Sequence, residues 1–316
     1  MLYASDKTTV YRFHFDGNEL VPSSEPEIVV DGFTNEQQHG DKAFTFDNAG
    51  NIYVAVGAPS NACMREARTM GSPGLRPCPI LERHGGIWRF NANELNQDQS
   101  DGVVYATGIR NTVALSWNDE HGALYFLQHG RDQLDTLFPE FYNARDNALR
   151  TGEEFLKVTS EGQVFGWPFT YYDNLRQERM VNPEYGGDGQ TVATQGQYAE
   201  PIISFPGHWA PNELIFYTGD MFPESYQDGA FVAFHGSWNR APIVQDGFNV
   251  AFIPGDAEEM EATFQIFADG FRGETDGFTS DARPVGLAQG ADGSLYISDS
   301  INGRVWKITY NKSLMQ

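Results

Sequence analysis

The chain has 316 residues, 40% apolar and 14% aromatic, and its 21 Lys and Arg stand against 43 Asp and Glu, a formal charge of −22 at pH 7. So acidic a surface repels nucleic acid, and the basic residues are scattered without a run, which excludes a nucleic-acid partner. The length allows one large or two medium domains, the 33 Gly and 16 Pro favour turns over long helices, and the apolar stretches are strand-sized, short of the roughly 18 residues that a membrane span needs.

Internal repetition sets the expected fold. In chain order, a first unit has strands at 2–4, 9–13 and 27–30; a second at 43–47, 50–54, 86–90 and 103–106; a third at 113–117, 122–126, 155–158 and 201–204. A fourth follows at 214–218, 229–233, 248–252 and 264–267, and a fifth at 285–288, 293–297 and 304–308. Within a unit the first strand enters a tight turn, such as Asn48-Ala49-Gly50 or Asp292-Gly293, and leaves it as an apolar-aromatic second strand. Third strands alternate apolar with polar residues. Four strands per unit in fixed order predict an all-β fold of radially stacked sheets, a β-propeller, over a β-sandwich. Eighteen strands fall short of the 24 in six whole blades. The expectation is one domain over 1–316, incomplete at its amino terminus, with edge strands at 2–4 and 304–310 unprotected and insertions at about 58–85 and 131–152. No leader segment is visible at Leu2-Tyr3-Ala4-Ser5-Asp6.

The two cysteines, Cys63 and Cys78, flank a Gly- and Pro-rich stretch inside the first insertion. A disulfide stapling that loop is the expectation, with two unrelated free thiols as the alternative.

In an antiparallel blade the connections from fourth to first strand and from second to third emerge at one face. Gln38-His39-Gly40, Gly108-Ile109-Arg110-Asn111, Gly207-His208-Trp209 and Asp281-Ala282-Arg283-Pro284 occupy the former; His129-Gly130-Arg131-Asp132 and His235-Gly236-Ser237-Trp238-Asn239-Arg240 occupy the latter. Both insertions start there, as binding loops on a rigid scaffold do. His39, at the entrance to a strand, offers a neutral imidazole as a base. His84 and His129 read more readily as solvated or hydrogen-bonded loop residues than as catalysts. Arg110 and Asn111 offer a donor fork beside an amide, suited to a carboxylate or quinone oxygen, with an inter-blade ion pair as the plainer alternative. Trp238 reads as a flat wall for a planar ligand or as packing. No HExxH, GxSxG, GxGxxG or P-loop pattern is present.

At His235-Gly236-Ser237-Trp238-Asn239-Arg240, Ala106-Thr107-Gly108-Ile109-Arg110-Asn111-Thr112 and Arg283-Pro284-Val285-Gly286-Leu287 the sequence resembles the soluble quinoprotein sugar dehydrogenases, in the glucose/sorbosone or pyranose dehydrogenase branch. Further stretches are similar to it, among them Gln128-His129-Gly130-Arg131-Asp132 and Phe165-Gly166-Trp167-Pro168. The resemblance implies a six-bladed propeller of the quinoprotein glucose dehydrogenase type with pyrroloquinoline quinone on its axis and calcium beside it, although the family's amino-terminal blade has no counterpart here. It implies His39 as catalytic base and Arg110 and Asn111 as quinone partners, Arg110 polarising a carbonyl. His235, Trp238 and Asn239 then bind the quinone's other edge, Arg283 meets a carboxylate, and Gly130 and Arg131 give calcium their backbone carbonyls.

The resulting expectation is an oxidoreductase acting on the C1 hydroxyl of an aldose. Its electrons go to an external acceptor, a cytochrome or a quinone, since no haem motif is encoded. The parent protein is expected to be periplasmic or secreted, with loops 58–85 and 170–200 choosing the sugar. A calcium-dependent lactonase and a non-catalytic carbohydrate-binding propeller are the alternatives.

Overall fold

The computed structural model describes residues 1–15, 19–256, 259–276 and 278–311. The first three strands are β1 (Leu2–Ser5), β2 (Val10–Phe13) and β3 (Glu27–Asp31), followed by β4 (Phe44–Phe46), β5 (Asn51–Val56), β6 (Gly86–Asn91), β7 (Gln97–Asp98) and β8 (Val103–Thr107). Next come β9 (Ala114–Asn118), β10 (Ala123–Gln128), helices α1 (Leu134–Leu137) and α2 (Ala144–Arg150), β11 (Glu153–Lys157), β12 (Gln163–Val164), β13 (Thr170–Asp173), β14 (Glu178–Val181) and β15 (Ile203–Phe205). The last are β16 (Pro211–Tyr217), β17 (Gly229–His235), β18 (Phe248–Pro254), β19 (Gln265–Ala268), β20 (Pro284–Gln289), β21 (Leu295–Asp299) and β22 (Val305–Ile308).

These strands form five sheets of propeller type and one separate hairpin, β13-β14. The sheet orders are β1-β2-β3-β7, β12-β8-β6-β5-β4, β15-β11-β10-β9, β16-β17-β18-β19 and β20-β21-β22. The first strands β9, β16 and β20 pack one on the next, with β4 against β9, and so define the inner side. The sixth blade implied by the resemblance is not among the described residues. The sequence pattern also lacks β7 and β12, two-residue strands that add in parallel to the outer edges of β3 and β8. They cover edges that otherwise present unpaired backbone groups. Among the described residues strand β1 pairs only with β2, and β22 only with β21.

Tight turns start the second strands for a local reason. Asp47 accepts from the amides of Ala49 and Asn51 at 2.9 and 2.8 Å, and Gly50 takes the left-handed φ of 87° that the turn requires. The second strands of the three middle sheets, β5, β10 and β17, then divide their side chains between two neighbouring sheets. From β5, Ile52, Val54 and Val56 pack toward the first sheet with Val10, Val30 and Trp88, while Tyr53 and Ala55 join Leu124, Phe126 and Leu156 of the third. From β17, Val232 and Phe234 meet Tyr125, Phe155 and Phe205, and Phe231 and Ala233 meet Leu295 and Ile297. A strand buried on both faces needs apolar residues at every position, so these strands read as apolar runs.

The insertions form a layer over one rim. Cys63 and Cys78 are disulfide-bonded across the first. Helices α1 and α2 fill the second, and Leu134, Leu137, Phe138 and Tyr142 pack with Tyr171 and Met180 of the hairpin and with Ala62 and Met64 of the stapled loop. Among the described residues no helix is long and apolar enough to cross a membrane.

Candidate functional site

The loops at that rim meet around Asp132, in the β10–β11 connection. Its Oδ2 accepts from Arg110 Nη2 at 2.8 Å and lies 3.6 Å from Arg68 Nη2. Its Oδ1 accepts from Asn239 Nδ2 at 3.0 Å and lies 3.8 Å from His208 Nδ1. Asn61, from the disulfide-stapled loop, clasps the Asp132 backbone from both sides: its Oδ1 accepts from the amide at 3.0 Å and its Nδ2 donates to the carbonyl at 2.9 Å. The same Oδ1 accepts from Arg110 Nη2 at 3.0 Å. Arg110 is buried, and its Nε has no partner among the described residues.

His39, in the β3–β4 connection, donates from Nδ1 to the Ala58 carbonyl at 2.6 Å. A carbonyl only accepts, so in the neutral ring Nε2 carries the lone pair. Gly57 makes room for this arrangement: a Cβ there would lie 2.6 Å from His39 Cβ and 2.7 Å from Asn111 Oδ1. His129 donates from Nε2 to the Pro211 carbonyl at 2.8 Å, joining the β10–β11 connection to the start of β16. The left-handed φ of non-glycine residues His39, Cys63, Arg68, Gln133, His208 and Ala210 falls in these same loops, and such strain gathers where a site over-determines the backbone.

The charges are uneven. Burial, then the guanidinium of Arg110, lowers the His39 imidazole to about 3, against the opposing pull of the Ala58 carbonyl and Asp132. Burial also takes His129 down to about 4. For Asp132, burial works to raise the carboxyl, but Arg110, His208, Arg68 and His39 outweigh it and hold it at about 2. Beneath them Glu153, 2% exposed, accepts from the amides of Gly130 and Ala210 at 2.9 and 3.4 Å. Burial pushes this carboxyl up to about 8.

His39, Arg110, Asn111, His129 and Asn239 therefore converge. Gly130 lies between them and Glu153, in a cradle where a Cβ would meet the carbonyl oxygens of Thr151 and Gly152 at 2.9 Å. The Arg131 side chain turns away, into a buried pair with Glu184. His235 and Arg283 form a second group toward the fifth sheet. Arg283 donates to the carbonyls of His235 and Gly236 at 3.1 and 2.7 Å and lies over the Phe248 ring at 4.7 Å. His235 Nε2 is 2.9 Å from Ser300 Oγ. Burial and the charge of Arg283, then that of His129, lower His235 to about 4, so the two groups share one field. Trp238 is 66% exposed. His84 lies apart, its Nε2 3.3 Å from Glu36 Oε1. Asp132, Asn61, Arg68 and Glu153 were not singled out by sequence. Asp132 and Asn61 had a signal, their places in the family-like stretches Gln128-His129-Gly130-Arg131-Asp132 and Gly57-Ala58-Pro59-Ser60-Asn61-Ala62-Cys63.

Residues 1–311 match the family described as TrAA12-like. An uncharacterized protein of Borreliella burgdorferi is 26% identical over 281 residues, 88% of this chain. The pyrroloquinoline quinone-dependent pyranose dehydrogenase of Coprinopsis cinerea is 25% identical over 282 residues, 77% of this chain. The matched regions make up 62% and 37% of those two proteins. Among solved structures, the Trichoderma reesei carbohydrate-active enzyme of family AA12, seen in iodide and calcium structures, superposes with a TM-score of 0.69 at 18% identity, over 96% of this chain and 76% of that one. The soluble aldose sugar dehydrogenase of Escherichia coli, in its apo form, superposes at 0.56 and 16% identity, over 95% and 76%. These structural likenesses show the β-propeller fold, and the match along the sequence shows that the chain belongs to the TrAA12-like family.

Proposed function

We propose that the chain carries the quinone and sugar site of a pyrroloquinoline quinone-dependent sugar oxidoreductase. The observation that carries this is the meeting of a neutral imidazole, His39, with a buried guanidinium, Arg110, whose Nε is left unpartnered. An anionic, planar, oxygen-rich ligand fits that donor set, together with the amides of Asn111 and Asn239. Arg110 and Asn111 would hold one edge of the quinone, His235, Trp238 and Asn239 the other, and Arg283 a carboxylate. When bound, the quinone supplies a two-electron hydride acceptor for the sugar C1–H bond. His39 takes the proton of the C1 hydroxyl at Nε2, because Nδ1 is engaged by Ala58. Arg110 places positive charge where negative charge develops.

Calcium is assigned to the backbone carbonyls of Gly130 and Arg131, oxygens that a hard cation accepts. Among the described residues no cluster of three His, Cys, Asp or Glu side chains offers another site. The substrate is assigned as an aldose, the electron acceptor as an external cytochrome or quinone, and the location as periplasmic or secreted, where the Cys63–Cys78 bridge persists. Residues 1–316 are assigned to one propeller domain with insertions at about 58–85 and 131–152.

The test is titration of the purified chain with the quinone and calcium, followed by dye reduction with a panel of aldoses. His39→Ala is expected to bind the quinone and to lose about 10²- to 10⁴-fold in turnover. Absence of quinone uptake, or undiminished turnover by His39→Ala, would overturn the assignment.

A further inference from the structure

We propose that Asp132 is a positioning residue of this site, fixing Arg110 and Asn239 from two different loops so that both present their remaining donors to one ligand. The role rests on the oxidoreductase reading for its ligand, and on geometry for everything else. The two carboxylate oxygens divide the work. Oδ2 takes Arg110 Nη2 at 2.8 Å and Oδ1 takes Asn239 Nδ2 at 3.0 Å. A carboxylate bridging two donors in this way sets the distance between them. With Nη2 held by Asp132 and Asn61, the planar guanidinium is anchored at one terminal nitrogen with Nε left without a partner among the described residues, and its fork geometry sets the direction of the remaining donors. Asp132 is itself held through its backbone by Asn61, and Arg68 closes on it from the stapled loop at 3.6 Å. Loops from the second, third and fourth sheets thus converge on one residue, its carboxylate bonded to partners 22 and 107 residues away in sequence and its backbone to one 71 residues away.

Positioning and plain electrostatics predict opposite results. Removing a carboxylate beside a tricarboxylate ligand relieves like-charge repulsion and, by itself, tightens binding. Losing the brace frees Arg110 and Asn239 to adopt non-productive rotamers, and misplacement of this kind weakens binding. The chain and its Asp132→Asn and Asp132→Ala variants are therefore titrated with pyrroloquinoline quinone in the presence of calcium. Amide hydrogen exchange is followed at 108–111 and 237–240. The expected result is quinone affinity at least about tenfold weaker in Asp132→Ala. A smaller loss is expected in Asp132→Asn, whose Oδ1 still accepts one of the two donors, with faster exchange in both loops of Asp132→Ala. If Asp132→Ala does not fold, Asp132→Asn carries the comparison. Affinity equal to or tighter than the wild type overturns the role of Asp132. If the wild type takes up no quinone, the oxidoreductase assignment falls alone; exchange unchanged at both loops then overturns the positioning role independently.

Discussion

The buried pair beside the site allows its contribution to be worked out. Arg131 Nη1 and Nη2 donate to Glu184 Oε2 and Oε1 at 2.6 and 2.9 Å, and Nη1 also donates to Asn182 Oδ1 at 2.8 Å. The two side chains are 2% and 0% exposed. Burial works against the Arg131 charge, yet Glu184 more than offsets it and holds the guanidinium above the usual arginine range. Glu184→Gln keeps the shape, removes the negative charge and turns an NH₂ toward a guanidinium. Two unit charges about 4 Å apart interact by about 4 kcal/mol at an effective dielectric of about 20, and deleting one partner of a buried pair costs about 3–5 kcal/mol. The two figures agree, and either is a large part of a typical domain's ~5–15 kcal/mol of stability. Urea unfolding followed by tryptophan fluorescence should show a lower midpoint for Glu184→Gln. The double variant Arg131→Met/Glu184→Leu, with no charge left to desolvate, should recover to within about 1 kcal/mol of wild type or exceed it. A loss below about 1 kcal/mol in Glu184→Gln, or a double variant as damaged as the single one, would show that the pair is not desolvated.

Gly57→Ala places a methyl group 2.6–2.7 Å from His39 and Asn111 and should weaken quinone uptake about tenfold or more while costing about 1–3 kcal/mol in urea unfolding; uptake and stability at the wild-type level would refute the crowding. Cys63→Ala/Cys78→Ala opens a loop of sequence separation 15 and should cost about 3 kcal/mol in urea unfolding. It should also loosen the Asn61 clasp, whereas equal stability would mean that the loop is held by its packing alone. The folded-state pKa values of His39 and His129, about 3 and about 4, lie below the unfolded value near 6.5. Between those limits the unfolded chain binds more protons than the folded one, so stability present above pH 6.5 declines as pH falls toward 4, by at most about 1.4 kcal/mol per pH unit for each imidazole. Denaturation midpoints measured from pH 7 to pH 4 should fall less steeply in His39→Gln and His129→Gln, and slopes identical to wild type would contradict the depressed values.

What sequence made legible follows from the range over which each rule acts. The hairpin turn at Asn48-Ala49-Gly50 is local chemistry, closed by Asp47 within four residues, so its position and that of β5 could be read directly. Strands buried on two faces announce themselves as apolar runs, which is why β5, β10 and β17 were placed to within a few residues. The two-residue strands β7 and β12 are too short to carry a periodicity. The hairpin β13-β14 and helices α1 and α2 sit in stretches read as loops, where packing among Tyr142, Tyr171 and Met180, not an apolar period, decides the conformation.

The sequence by itself determined the order of strands and turns, the rim on which the polar loops gather, and the family to which the chain is similar, because each is encoded in contiguous residues. Only the tertiary structure decided which polar residues meet. Arg110 and Trp238 were equally conspicuous in sequence, yet one is buried against a carboxylate and the other is exposed. Asp132, a single residue in one motif, became the point of convergence because closing sheets against one another brings distant loops together. A carboxylate that loses water at that point must find its donors there, wherever along the chain they happen to lie.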